Sequence, residues 1–198
     1  MLKNWNRPER PGEEELEERL KAARAKLAVQ QMQIKEHKLP VLVLFEGWGT
    51  AGKGSILGKI IREIDPRFFK AATMDIPTEE ELRKPFLYRY FVKIPEAGKF
   101  CFLDSGWMDE VTRDCLHGEM KEKQYKERID SVKRFERQLT NNGYLVMKFF
   151  FHIGQKEQKK RLKGLEKNEN TSWRVSENDI WQNKHYDKCL KVYDQYLN

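Results

Sequence analysis

Cysteine is scarce in this chain and shows no pairing pattern. Three cysteines, Cys101, Cys115 and Cys189, stand among 198 residues, with no C-x-x-C pair. An odd, scattered set argues against a disulfide scaffold and fits a reducing compartment. The four histidines, His37, His117, His152 and His185, share no ligand spacing, which argues against a zinc site. No apolar run approaches the ~20 residues that span a bilayer, and the N-terminal stretch MLKNWNRPERPGEEE holds no apolar signal segment. No repeat or low-complexity tract occurs. A soluble cytoplasmic protein with no membrane partner is expected.

What is present fits one α/β domain. Hydrophobic residues at 39% and aromatics at 12% are enough for a packed core, while charged residues at 35% imply long solvated helices. A net charge of +7 and a pI near 9.2 favour polyanionic partners. The aromatics sit mainly in apolar runs rather than among basic residues, which weighs against nucleic acid.

The chain is organised around Val41 to Ser55, VLVLFEGWGTAGKGS. A buried-strand run ends at Glu46-Gly47, a glycine-rich turn follows, and a helix-like run extends from Ile56 to Ile64. Strand, glycine loop and helix in that order make a phosphate cradle. Gly47-x4-Gly52-Lys53 has P-loop spacing, with Gly54 after the lysine and the hydroxyl one place later at Ser55.

Residues 1–12 read as an extended arm, and Glu13 to Lys38 as a helix with an apolar stripe of Leu16, Leu20, Ala23, Leu27 and Ile34. That stripe is expected to pack on the domain or on a second copy. A short strand is expected near Ala71 to Met74, after the helix stop at Asp65-Pro66, and Asp75 to Thr78 then turns the chain. An aromatic helix is expected over Phe86 to Phe91, and a buried strand over Phe100 to Leu103, ending on Asp104. An acid there faces the crevice where α/β sheets bind ligands. Residues 105–125 are polar and weakly periodic and are expected to cover the site. Lys126 to Leu139 reads as an amphipathic helix, Tyr144 to Ile153 as a fourth strand, Gln155 to about Lys167 as a basic helix, and Ile180 to Leu197 as one terminal helix. Strands alternating with helices imply a parallel sheet with right-handed crossovers. No closing strand follows. The division expected is an arm and helix over 1–39 and a P-loop domain over 40–198.

The series FEGWGTAGKGS (45–55), PFLYRYFVKIPEAGKF (85–100), FLDSGW (102–107), FERQLTNNGYLVMKFFFHIGQKEQKKRL (135–162) and WRVSENDIWQNKHYDK (173–188) resembles the polyphosphate kinase 2 family. The closer likeness is to one half of the tandem-domain polyphosphate:AMP phosphotransferases. That family's loop reads Gly-Lys-Gly, as Gly52-Lys53-Gly54 does here. The resemblance implies a three-layer α/β/α P-loop kinase fold, thymidylate-kinase-like, with a helical lid. It implies phosphoryl transfer between inorganic polyphosphate and AMP or ADP, with Mg²⁺; the homo-oligomer expected rests on the apolar stripe of the first helix. Gly47, Gly49, Thr50, Ala51, Gly52, Lys53, Gly54 and Ser55 would hold phosphate, joined by Arg83, Lys84 and Arg89. Lys53 and Asp104 would be catalytic, with Asp104 on the metal. Lys156, Lys160 and Lys163 could extend a polyanion track.

Two departures bear on turnover. Active members carry Asp where this chain has Gly49. They read Asp/Asn-Arg-Ser-Trp-Tyr where this chain reads Asp104-Ser105-Gly106-Trp107-Met108. The alternative implied is a family domain that binds polyphosphate or nucleotide, or pairs with a catalytic domain. If only these losses matter, Gly49→Asp with Ser105→Arg should restore activity. An ATP-dependent small-molecule kinase is a further alternative, for which no base or acceptor pocket is legible.

Overall fold

The computed structural model describes residue 2, residues 9–74 and residues 76–198. Strand β1 (Val41–Gly47) is buried along its whole length because Val41 to Phe45 are all apolar and are covered on both faces. It lies inside a four-stranded parallel sheet with β2 (Phe69–Thr73), β3 (Phe100–Asp104) and β4 (Leu145–Phe151), in the order β2-β3-β1-β4.

Alternation along β1 separates two cores. Leu42 and Leu44, with Cys101 and Leu103 of β3, face helices α5 (Trp107–His117), α6 (Glu122–Asn141) and α9 (Tyr186–Leu197). Val41, Val43 and Phe45, with Phe100 and Phe102, face α2 (Lys53–Ile61) through Leu57. The helix after β1 and the helix after β3 thus leave toward opposite faces of the sheet. Their divergence opens a crevice at the carboxyl ends of these neighbouring strands, where open α/β sheets bind ligands. The expected three-layer α/β fold is present.

Helix α1 (Glu13–Glu36) starts on three glutamates, which suit the positive end of its dipole. It has no buried residue; Leu27 and Ile34 pack partly on the second core, while Leu20, Val29 and Met32 are exposed. Most of the residue 1–12 arm, and Asp75 in the expected turn, lie outside the described residues.

Several boundaries differ from the expectations. The second strand begins at Phe69 rather than near Ala71. The aromatic helix is one turn, α4 (Tyr88–Phe91), preceded by α3 (Glu79–Leu82) with a Thr78–Glu81 capping box. Residues 105–125 contain α5, whose Trp107, Met108, Val111 and Leu116 are buried against the sheet. The terminal helix is two, α8 (Glu177–Lys184) and α9, separated at His185. Among the described residues no strand follows β4, which forms the sheet edge with Leu145 and Phe149 exposed. The basic helix is α7 (Gln155–Glu166).

Gly47 has to be glycine. It sits at φ +112°, and a Cβ there would lie 2.5 Å from the Phe151 carbonyl oxygen and 2.8 Å from its nitrogen. Both obstacles are backbone of the adjacent strand. Gly47→Ala is therefore expected to cost more than about 2 kcal/mol, read as a lower urea midpoint with unchanged slope.

Candidate functional site

The loop from Gly47 to Gly52 joins β1 to α2. Thr50 and Gly52 both take left-handed conformations, at φ +56° and +100°, and this folds the chain back on itself. Among the described residues the backbone N–H groups of Thr50, Gly52, Lys53, Gly54 and Ser55 donate to no acceptor. Three of them belong to the first turn of α2, where the helix offers donors and a positive dipole end. Among the described residues the buried Thr50 hydroxyl finds no hydrogen-bond partner.

Lys53 curls back over the loop. Its Nζ donates to the Gly47 carbonyl at 3.2 Å and to the Trp48 carbonyl at 3.1 Å. The expected residues 47–55 are therefore brought together in one concave turn. Trp48 anchors its base: fully buried, it donates from its indole to His152 Nδ1 at 3.0 Å and stacks on Tyr186 at 4.2 Å.

Asp104 closes the crevice from β3. Its Oδ2 lies 3.0 Å from where a Cβ on Gly54 would sit, so the missing side chain at 54 gives this carboxylate room against α2. Burial pushes the Asp104 carboxyl up, and the Lys53 charge pulls it down. Asp109, in the first turn of α5, is raised by burial and lowered by Lys53 and by a hydrogen bond from Ser105. Ser105 itself is left-handed, at φ +71°, and its N–H donates to the Phe45 carbonyl at 3.2 Å. Among the described residues no cluster of three His, Cys, Asp or Glu could hold a metal. A hard divalent ion at Asp104 would share its coordination with phosphate oxygens and water, the usual arrangement for Mg²⁺.

Arg83 and Lys84 follow α3, and Arg89 lies in α4. Arg89 is buried, with its guanidinium 3.5 Å from Glu110 and 3.7 Å from Glu81. Lys84 pairs with Glu80 at 3.0 Å and lies over the Tyr88 ring. Arg83 is exposed at the end of α3. Lys156, Lys160 and Lys163 are exposed on α7.

Sequence reasoning missed several polar side chains at the loop. Gln182 Oε1 accepts the Gly49 N–H at 3.0 Å, and Gln158 Nε2 donates to the Gly49 carbonyl at 3.3 Å. Arg161 donates to the Thr50 and Ala51 carbonyls at 3.3 and 3.1 Å. The available signal was weak: two glutamines and an arginine within otherwise exposed, charged helices. Asp109 was traceable in principle, five residues past Asp104 in a helix that leaves the same strand.

Three likenesses to known proteins bear on this site. A polyphosphate:AMP phosphotransferase of Pseudomonas aeruginosa is 32% identical over 168 residues, covering 84% of this chain and 34% of that protein. An ADP-polyphosphate phosphotransferase 3 of Rhizobium meliloti is 25% identical over 84% of this chain and 59% of its own length. The chain thus spans between about a third and three-fifths of these relatives. The crystal structure of polyphosphate kinase 2 from Arthrobacter aurescens TC1 superposes with a TM-score of 0.84 at 27% identity, over 89% of this chain and 64% of that one. The sequence model of polyphosphate kinase 2 itself matches residues 11–198, so loop, Asp104 and terminal helices all fall within one match. On that breadth of agreement, this chain belongs to the polyphosphate kinase 2 family.

Proposed function

We propose that the chain binds inorganic polyphosphate on the Gly47–Ser55 loop and takes part in phosphoryl transfer between it and AMP or ADP. The observation that carries this reading is the run of unused N–H donors at residues 50 and 52–55, with the Lys53 ammonium beside them. Phosphoryl transfer asks little covalent chemistry of a protein; it asks for positioning and for neutralisation of crowded oxygen charge. The names of the relatives, which pair polyphosphate with AMP or ADP, support the same substrates.

Each group has a definite part. The loop N–H groups orient a terminal phosphate, and Lys53 offsets its charge. Asp104 would hold Mg²⁺, which supplies Lewis-acid neutralisation of the transferring oxygens. Arg83 and Lys84, with the exposed lysines of α7, are candidates to lengthen the polyanion path; the Arg89 guanidinium sits between Glu110 and Glu81. Exposed Leu20, Val29 and Met32 on α1 support self-association.

A second reading, binding without turnover, is favoured by Gly49 and Ser105, which bring no charged side chain to the cradle. The two are separated by incubating the protein with AMP or ADP, long-chain polyphosphate and Mg²⁺. Product above a Lys53→Ala control is expected. Retained polyphosphate binding with no such product would establish the second reading, and absence of both would sink the proposal.

A further inference from the structure

Gly49 poses a question that backbone geometry does not answer. Its φ is not in the left-handed region, unlike that of Gly47 or Gly52, so its conformation suits any residue. Space is what is missing. A Cβ on Gly49 would fall 1.8 Å from Asp179 Oδ1, 2.7 Å from Asp179 Cγ and 3.2 Å from Gln182 Oε1.

Asp179 and Gln182 lie three residues apart, on one face of α8. Asp179 Oδ2 is committed to its own helix start, accepting from the Ser176 N–H at 3.0 Å and hydroxyl at 2.8 Å. Oδ1 accepts no hydrogen bond among the described residues and projects over Gly49. Gln182 is fixed from behind by the Tyr193 hydroxyl at 2.7 Å and is nearly fully buried. It leaves its Oε1 for the Gly49 N–H at 3.0 Å. A buried amide held at both its nitrogen and its oxygen is confined to one geometry.

We propose that Asp179 and Gln182 are positioning residues of the phosphate loop, and that Asp179 takes the place of a side chain at position 49, so that the two positions exclude each other. The proposal rests on the loop being the polyphosphate cradle. Asp179 acts by shape: its carboxylate, held by the helix cap, wedges against Gly49 while Gln182 fixes the adjoining N–H. Its charge contributes nothing favourable, because a carboxylate beside an anion repels it. The structure also bears on restoring the family's acid at this position. Gly49→Asp would drive a second carboxylate into Asp179, so Gly49→Asp with Ser105→Arg needs Asp179→Ala as well.

The test uses the full chain and sodium tripolyphosphate, with affinity read by titration calorimetry and stability by thermal melting. Gly49→Ala is expected to weaken binding at least tenfold and to lower Tm, since Asp179 must swing away. Asp179→Ala is expected to weaken binding about tenfold, and Asp179→Asn, which keeps the shape, to bind as tightly as wild type or better. Gly49→Ala with Asp179→Ala is expected to recover Tm toward wild type and to bind no worse than Asp179→Ala alone. Strictly additive losses would overturn the exclusion, and an Asn variant as weak as the Ala variant would overturn positioning by shape. If wild type binds no tripolyphosphate, the cradle reading fails, and the Tm cycle alone decides whether positions 49 and 179 exclude each other.

Discussion

Lys53→Ala is expected to lower polyphosphate-dependent phosphoryl transfer by about two to three orders of magnitude, with little change in stability. In the structure Nζ donates to the Gly47 and Trp48 carbonyls, so the ammonium is stationed at the mouth of the loop rather than spent on a carboxylate bond. It is also the charge that draws Asp104 and Asp109 down against burial. Removing it takes away the cation beside the loop's N–H donors and leaves two half-buried carboxyls with less to favour their ionised form. The lost cation is the change that works against an anionic substrate. The fold depends little on this side chain: it is half-buried, bonded only to neutral carbonyls, and a loss of about 1 kcal/mol is expected. Initial rates with AMP or ADP, alongside thermal melts, check both parts. Activity within tenfold of wild type would remove Lys53 from the chemistry. Lys53→Arg is not expected to rescue, since a planar fork cannot curl onto the same two carbonyls as a compact ammonium does.

The sheet and the loop were legible because their signals are local. Val41 to Phe45 and Phe100 to Leu103 are contiguous apolar runs, Leu145 to Phe151 is broken only by Lys148, and glycines punctuate the turn that follows the first. Helix α5 was obscured because its buried Trp107, Met108, Val111 and Leu116 alternate with Asp109, Glu110 and Asp114. Glu110 is buried there only because Tyr90 and Arg89, twenty residues away, meet it. The same pair explains Arg89: a basic residue near a phosphate site reads as a ligand, but its partners are internal acids. The break at His185 carries no glycine or proline signal; the Trp181 carbonyl takes both the His185 N–H and the ring Nδ1 contact, ending α8. Gln158, Arg161, Asp179 and Gln182 reach the loop from more than a hundred residues downstream, and only tertiary packing places them. Gly49 was therefore legible as an odd residue and not as one half of a contact.

Glu46→Gln is expected to flatten the dependence of stability on pH between about 4.5 and 8. Glu46 ends the buried run of β1 before Gly47, only 2% exposed, and its Oε1 accepts the Met108 N–H at 3.0 Å in the first turn of α5. Burial pushes this carboxyl up to about 8, and the charges of Asp109 and Glu136 add to the rise. The Met108 N–H and Lys148 oppose it. In the unfolded chain the same group titrates at the ordinary value of 4.5. Between those values the folded protein keeps a proton that the unfolded chain has released. Stability is therefore full below about 4.5, declines as the pH rises, and reaches its floor above about 8. At about 1.4 kcal/mol per pKa unit, the whole decline is on the order of 5 kcal/mol. Glutamine keeps the acceptor for Met108 and has nothing to ionise, so Glu46→Gln should match wild type at pH 5 and exceed it at pH 8.5. Urea midpoints of the two proteins across that range decide the matter. Parallel slopes would mean that Glu46 ionises freely where it stands, and that the end of β1 is open to water.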